Sequence, residues 1–120
     1  MDDETSLAEV KEMVKNFCEE REWDQYHDAK ELTTAMILEV SELLEFFRYK
    51  NREEVNKIVS HSEKIVDIRD EIADVLFLLS RLAQMYNIDL SEALKSKIEK
   101  TALKYPVDKA KGSNKKYNEF

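Results

Sequence analysis

The sequence predicts an all-α protein of the four-helix-bundle type, and three observations carry that reading. Only one Gly and one Pro occur in 120 residues, so the tight turns that β-hairpins need are scarce. Leu, Glu, Lys and Ala abound, and these are strong helix formers. Apolar residues recur at helical spacing in several long segments. A chain of 120 residues is about one ordinary domain. It is read as a helical domain over residues 1–105 and a Lys-rich tail over residues 106–120.

The elements follow in order. Ser6-Leu7-Ala8-Glu9 reads as a capping box. It opens a helix running to about Glu22, with Leu7, Val10, Val14, Phe17 and Cys18 as its apolar stripe. Arg21 to Asp28 is an aromatic connection holding the only tryptophan, Trp23. Asp28, followed by Glu31, caps a second helix over Ala29–Tyr49. Its core stripe is read as Leu32, Met36, Val40, Leu43 and Phe47, with Ala35, Glu39, Glu42 and Phe46 on a neighbouring face. Asn51 with Glu54 caps a short helix carrying Val55, Ile58 and Val59. Ser60–Glu63 reads as a connection and His61 as a plain surface histidine. The third helix spans about Glu63 to Tyr86 and is apolar nearly all round between Ile72 and Leu79. Such a helix is buried on most sides, and a monomer of this size has few helices to bury it, so self-association is expected. Asp89 with Glu92 reads as another capping box. It opens a fourth helix to about Lys104, with Leu90, Ala93, Leu94, Ile98, Ala102 and Leu103 inward. Pro106 stops that helix. The polar tail from Val107 to Phe120 reads as flexible.

Charge and composition exclude several functions. A net charge of −7 repels nucleic-acid phosphates, so no nucleic-acid polymer is expected as partner. No apolar run approaches the ~20 residues of a membrane span. The acidic start is unlike a signal peptide. The single cysteine, Cys18, cannot form an internal disulfide, and a reducing, cytoplasmic setting fits.

Two stretches carry the chemistry. Met36–Leu44 places Glu39 and Glu42 three residues apart in an apolar run, and Glu71–Leu79 does the same with Glu71 and Asp74. Residues i and i+3 share a helix face, with Cβ atoms about 5–6 Å apart. Burying four ionised carboxylates costs on the order of several kcal/mol per ion, and a divalent cation removes that cost. The pairs Glu9/Glu12 and Glu19/Glu22 have the same spacing but lie among Lys11, Lys15 and Arg21, where a solvated face explains them. The alternative for the inner pairs is a groove lined by half-exposed stripes.

Oxygen-only ligation suits Mg²⁺ or Mn²⁺. Di-iron bundles use Glu-x-x-His. Neither pair here has a histidine at that place, and only His27 and His61 exist. Mg²⁺ commonly binds together with substrate phosphates, which points to hydrolysis of a phosphate ester or anhydride. Lys97, Lys100, Lys104, Lys115 and Lys116 are candidate phosphate contacts. Trp23, Tyr26, Tyr49 and Tyr105 are candidate stacking partners for a base. Taken one at a time, each of these lysines is more often ordinary surface and each of these aromatics more often packing.

The pattern Glu-x-x-Glu, a spacer, then Glu-x-x-Asp resembles the MazG-like all-α nucleotide pyrophosphohydrolases, most closely the dCTP pyrophosphatase branch. The matching segments are Arg21–His27, Leu38–Leu43, Asp70–Leu76, and Lys104-Tyr105-Pro106-Val107 through Gly112-Ser113 to Lys116-Tyr117. The resemblance implies Mg²⁺-dependent cleavage of a nucleoside triphosphate between its α- and β-phosphates. It also implies a homodimer or homotetramer and a house-cleaning role on cytoplasmic nucleotide pools. By motif position Glu39, Glu42, Glu71 and Asp74 would hold metal. Trp23 and Tyr49 would flank the base, Tyr49 standing where close relatives have Trp. Lys97 would face phosphate, and Tyr105 and Lys116 would help close the site. Thr101 stands where dCTP-preferring relatives carry Asn, which leaves the base preference open. Glu39 or Glu42 would accept a proton from the attacking water, with Glu39 favoured. Two alternatives remain: the same fold acting on dUTP, dUDP or other nucleotides, or a non-catalytic helical dimer that binds a nucleotide or partner.

Overall fold

The computed structural model describes residues 1–120, the side chain of His61 excepted, so the surface reading of that histidine lies outside the described residues. The helices are α1 (Leu7–Glu20), α2 (Ala29–Glu45), α3 (Arg52–His61), α4 (Ile65–Met85), α5 (Leu90–Lys104) and α6 (Val107–Ala110). Short 3₁₀ turns cover Trp23–Tyr26 and Tyr117–Glu119. No strand occurs among the described residues, so the all-α expectation holds. None of the described helices is long and apolar enough to cross a membrane.

Local chemistry sets the helix starts. The Ser6 hydroxyl accepts from the Glu9 N–H at 3.1 Å, and the Glu9 carboxylate accepts from the Ser6 N–H at 2.6 Å. Asn51 and Glu54 form the same reciprocal box. Asp28 accepts from the Glu31 N–H at 2.8 Å. Asp89 accepts from the Glu92 N–H at 2.8 Å, a one-way cap where a box was expected. Each cap contributes roughly 1 kcal/mol. The ends differ from expectation by a few residues. Glu22, Tyr49 and Asn87 take left-handed backbone with φ of 55°, 63° and 53°, a conformation that ends a helix rather than extending it. That is why α1 stops before Glu22 and α2 before Tyr49.

The chain divides into two compact units, Met1–Asn87 and Ile88–Phe120. In the first, α4 is the central helix, and α2, α1 and α3 all pack on it. Its core holds Val14 and Cys18 from α1, Leu32 from α2, and Ile68 and Ala83 from α4. The Tyr86 N–H closes the last turn of α4 on the Leu82 carbonyl at 3.2 Å, and its hydroxyl accepts from the Ala29 N–H at 2.8 Å, tying the start of α2 to the end of α4.

The inward face of α2 is Leu32, Ala35, Met36, Glu39 and Leu43, continued by half-buried Phe46 at its C-cap. Val40, read from sequence as a core residue, is 49 % exposed on the other side with Ile37 and Leu44. A residue beside Glu39 in sequence is turned about 100° around the helix axis, so packing Glu39 toward α4 directs Val40 outward. On α4 the expected burial on most sides is not met within one chain. Ile72 is 52 % exposed, and Leu76 and Leu79 are exposed beside it.

In the second unit, α5 departs from the predicted inward stripe. Leu94 and Ile98 are exposed and Leu103 is 86 % exposed, because the other helix of that unit is only the four-residue α6. The tail read as flexible is instead folded. Pro106 sits at the N-cap of α6. The Tyr105 ring meets Tyr117 and Phe120 edge-on, with centroids at 6.1 and 5.9 Å.

Candidate metal centre

Glu39 and Glu42 lie one turn apart on α2, and Glu71 lies on α4. Because α2 packs along α4, a carboxylate oxygen from each falls within 4.8 Å of the other two. Glu39 and Glu71 are half-buried and Glu42 is exposed. Asp74, one turn beyond Glu71, is exposed and stands outside that triple. Its charge still acts on both Glu39 and Glu71.

The electrostatics are those of crowded acids. Burial pushes the Glu39 carboxyl up to about 7, helped by the negative charges of Glu42 and Asp74. Glu71 is raised as well, first by burial and then by Glu42. Glu42 and Glu71 both act on Glu39 at this short range, so the three carboxyl groups form one electrostatic unit. One Glu71 oxygen, Oε2, is buried with no hydrogen-bond partner. An orphaned carboxylate oxygen beside two more carboxylates is a donor set for a hard divalent cation. Ligands on opposite sides of Mg²⁺ stand about 4.2 Å apart, a span the triple accommodates. The residues present therefore fit the cation.

A cleft of about 330 Å³ opens beside the cluster, lined by Glu42, Glu45, Phe46, Lys50, Lys64 and Glu71. Lys50 and Lys64 were not singled out from sequence. They flank α3 at either end and meet at this cleft only because α3 folds back on α4. They bring positive charge to an otherwise acidic opening.

The sequence-derived substrate residues fall in separate places. Trp23 heads the 3₁₀ turn after α1, 38 % exposed, with its ring edge-on to Phe17 at 5.5 Å and His27 at 6.2 Å. Tyr49 is 90 % exposed, and the Arg48 guanidinium lies over its ring and donates to its hydroxyl. In the second unit Lys97 and Thr101 of α5, with Tyr105 at its C-cap, line a cleft of about 290 Å³ together with Ile98 and Ala102. Lys116 precedes the Tyr117–Glu119 turn, where its N–H donates to the Glu119 carboxylate.

One functional candidate escaped the sequence reading. Arg81 is 1 % exposed within α4. It donates to His27 Nδ1 at 3.0 Å and to Gln84 Oε1 at 2.6 Å, and it pairs with Asp24. Its signal was available, since a lone arginine in the apolar run from Val75 to Ala83 must find a partner to be buried.

The sequence profile of the MazG-like family matches residues 34–120, a span that includes all four predicted metal carboxylates. The chain belongs to the MazG-like family. Among curated MazG-like relatives, dCTP pyrophosphatase 1 of Rattus norvegicus is 32 % identical over 117 residues, covering 98 % of this chain and 69 % of that protein. The Homo sapiens protein of the same name matches with the same identity and coverage. In three dimensions the MazG-like chain resembles the crystal structure of a pyrophosphatase from Archaeoglobus fulgidus. The TM-score is 0.77 at 34 % identity, over 82 % of this chain and 91 % of that one.

Proposed function

We propose that this MazG-like chain is a divalent-cation-dependent nucleoside triphosphate pyrophosphohydrolase. It cleaves a (d)NTP to the monophosphate and pyrophosphate, and so removes unwanted nucleotides from the cytoplasmic pool. The observation that carries this is the glutamate triple of α2 and α4, with its orphaned Glu71 oxygen, opening into a cleft flanked by Lys50 and Lys64. Family membership and the pyrophosphatase relatives support the same reading.

Glu39, Glu42 and Glu71, with Asp74 beside them, would hold Mg²⁺, for which Mn²⁺ can substitute. When bound, the cation supplies the positive charge that offsets the triphosphate and the departing pyrophosphate. The protein's own groups do the rest. A water oxygen bonds to the α-phosphorus as the bridge from that phosphorus to the β-phosphate oxygen breaks. Glu39, inside the cluster, is the carboxylate proposed to take the proton from that water. Glu42 is the neighbouring alternative. Lys50 and Lys64 draw the anionic chain toward an acidic protein.

Trp23 stacks on the base, and Tyr49 offers a second ring. Lys97 faces phosphate, Tyr105 and Lys116 close over the bound nucleotide, and Thr101 tunes the choice of base. The substrate class is dCTP or a modified dCTP, in keeping with the relatives, with dUTP as the competitor. The assembly is a homodimer or homotetramer. Exposed Ile37, Leu38, Val40 and Leu44 on α2, and Ile72, Leu76 and Leu79 on α4, supply the apolar faces that a second copy would cover.

The test is a panel of nucleoside triphosphates assayed for pyrophosphate and monophosphate, with Mg²⁺ and with chelator. Metal-dependent pyrophosphate release is expected. Orthophosphate as the product, or no turnover of any nucleotide, refutes the proposal.

A further inference from the structure

The 3₁₀ turn that carries Trp23 has little of its own to hold it. Glu22, just before it, sits in the left-handed region at φ 55°. Tyr26 at its far end is exposed. Its local bonds are the His27 N–H to the Asp24 carbonyl at 3.2 Å and the Gln25 amide to the Glu22 carbonyl at 2.9 Å. The ring partners of Trp23, Phe17 and His27, meet it edge-on.

Arg81 grips this turn at two points. Its Nη2 pairs with the Asp24 carboxylate, the residue directly after Trp23. Its Nε donates to Nδ1 of His27, the residue that ends the turn and packs against the indole. Gln84 takes Nη1 at 2.6 Å, so three of the guanidinium's donor positions are committed. The acceptor role of Nδ1 requires a neutral ring, and burial together with the Arg81 charge holds His27 below its ordinary range. Beneath this lies Cys18, fully buried, whose thiol is raised by that burial. A planar fork that meets two groups spaced three residues apart fixes both position and orientation, which a point charge cannot do.

We propose that Arg81 is a positioning residue for nucleotide recognition, clamping Asp24 and His27 so that the Trp23 indole is held ready for the base. The proposal rests on the reading of Trp23 as the base-stacking ring. Arg81 touches neither substrate nor metal in this account. Its effect passes through the turn, so it alters binding and leaves the chemical step alone.

Trp23 is the only tryptophan, so its emission reports the turn directly, without any nucleotide. The variants are Arg81→Met, Arg81→Lys and Trp23→Leu, with steady-state kinetics and acrylamide quenching measured on the full chain. Arg81→Met is expected to red-shift the emission and increase quenching. It should also raise KM about fivefold to a hundredfold, the span of one lost base-stacking contact. Its kcat should stay within about twofold of wild type. Arg81→Lys keeps the charge but loses the fork and falls between. Should Arg81→Met fail to fold, Asp24→Asn opens the same clamp from its solvent side, with the same shifts expected. Wild-type emission and KM in Arg81→Met or Asp24→Asn, alongside a raised KM in Trp23→Leu, overturn the clamp alone. A wild-type KM in Trp23→Leu refutes the stacking reading and the clamp with it. An equal loss of kcat and kcat/KM in Arg81→Met also overturns it.

Discussion

Replacing Glu39 with Gln tests the electrostatics of the carboxylate cluster directly. The wild-type carboxyl titrates near 7 in the folded protein against an ordinary value of 4.5. The native state therefore binds this proton more tightly than the unfolded chain does. Stability from Glu39 is fully present below about pH 4.5 and is lost as pH rises through about 7. At full strength that gap corresponds to about 3 kcal/mol. Solvent screening in an open cleft reduces it to about 1–2 kcal/mol. For a chain of this size that is roughly 4–8 °C in Tm. In chelator, wild-type protein should lose about that much between pH 5 and pH 7.5, beyond what the Gln variant loses, because the amide carries no charge to repel Glu42 and Asp74. Adding Mg²⁺ at pH 7.5 should restore the wild type and do less for the variant. Turnover should fall about a hundredfold or more, the usual worth of a general base. Thermal melts at the two pH values and a pyrophosphate assay decide the matter. A Gln variant with the wild-type pH slope, or with near-normal turnover, refutes the reasoning.

Other expectations follow from the same geometry. Lys50→Met and Lys64→Met together should raise KM for triphosphates about tenfold and flatten its dependence on salt, since exposed charges act at long range and are screened; initial rates at two ionic strengths check this. Thr101→Asn restores an amide where a hydroxyl now stands, and should shift kcat/KM toward cytosine over uracil nucleotides by about tenfold, the scale of one added hydrogen-bonded contact, measured in direct competition. Val40→Glu paired with Ile72→Glu places charge on both exposed apolar faces. It should lower the mass seen by light scattering to that of a single chain, while far-UV circular dichroism stays helical.

The site was legible in part. Spacing of three between Glu39 and Glu42, and between Glu71 and Asp74, pointed to a shared face on each helix, and the structure brings three of those four carboxylates into one cluster. Asp74 stands beside it, a difference of one turn along α4. The cleft's lysines were not legible, because Lys50 and Lys64 stand fourteen positions apart in sequence and meet only through the fold of α3. The same holds for Arg81 and Asp24, separated by 57 positions.

What the sequence determined alone was helical structure and where it starts. A cap such as Ser6 with Glu9, or Asn51 with Glu54, is satisfied within one turn of chain, so nothing distant has to agree. Which side of a helix turns inward was settled only in three dimensions. On α2 apolar residues cover more than one face, so periodicity permits Val40 or Glu39 to point at α4, and the partner helix selects Glu39. On α5 the apolar stripe is real, yet Leu94, Ile98 and Leu103 stay exposed. Backbone hydrogen bonds reach about four residues along a helix, whereas burial depends on whatever surface arrives from elsewhere in the chain, or from another copy of it.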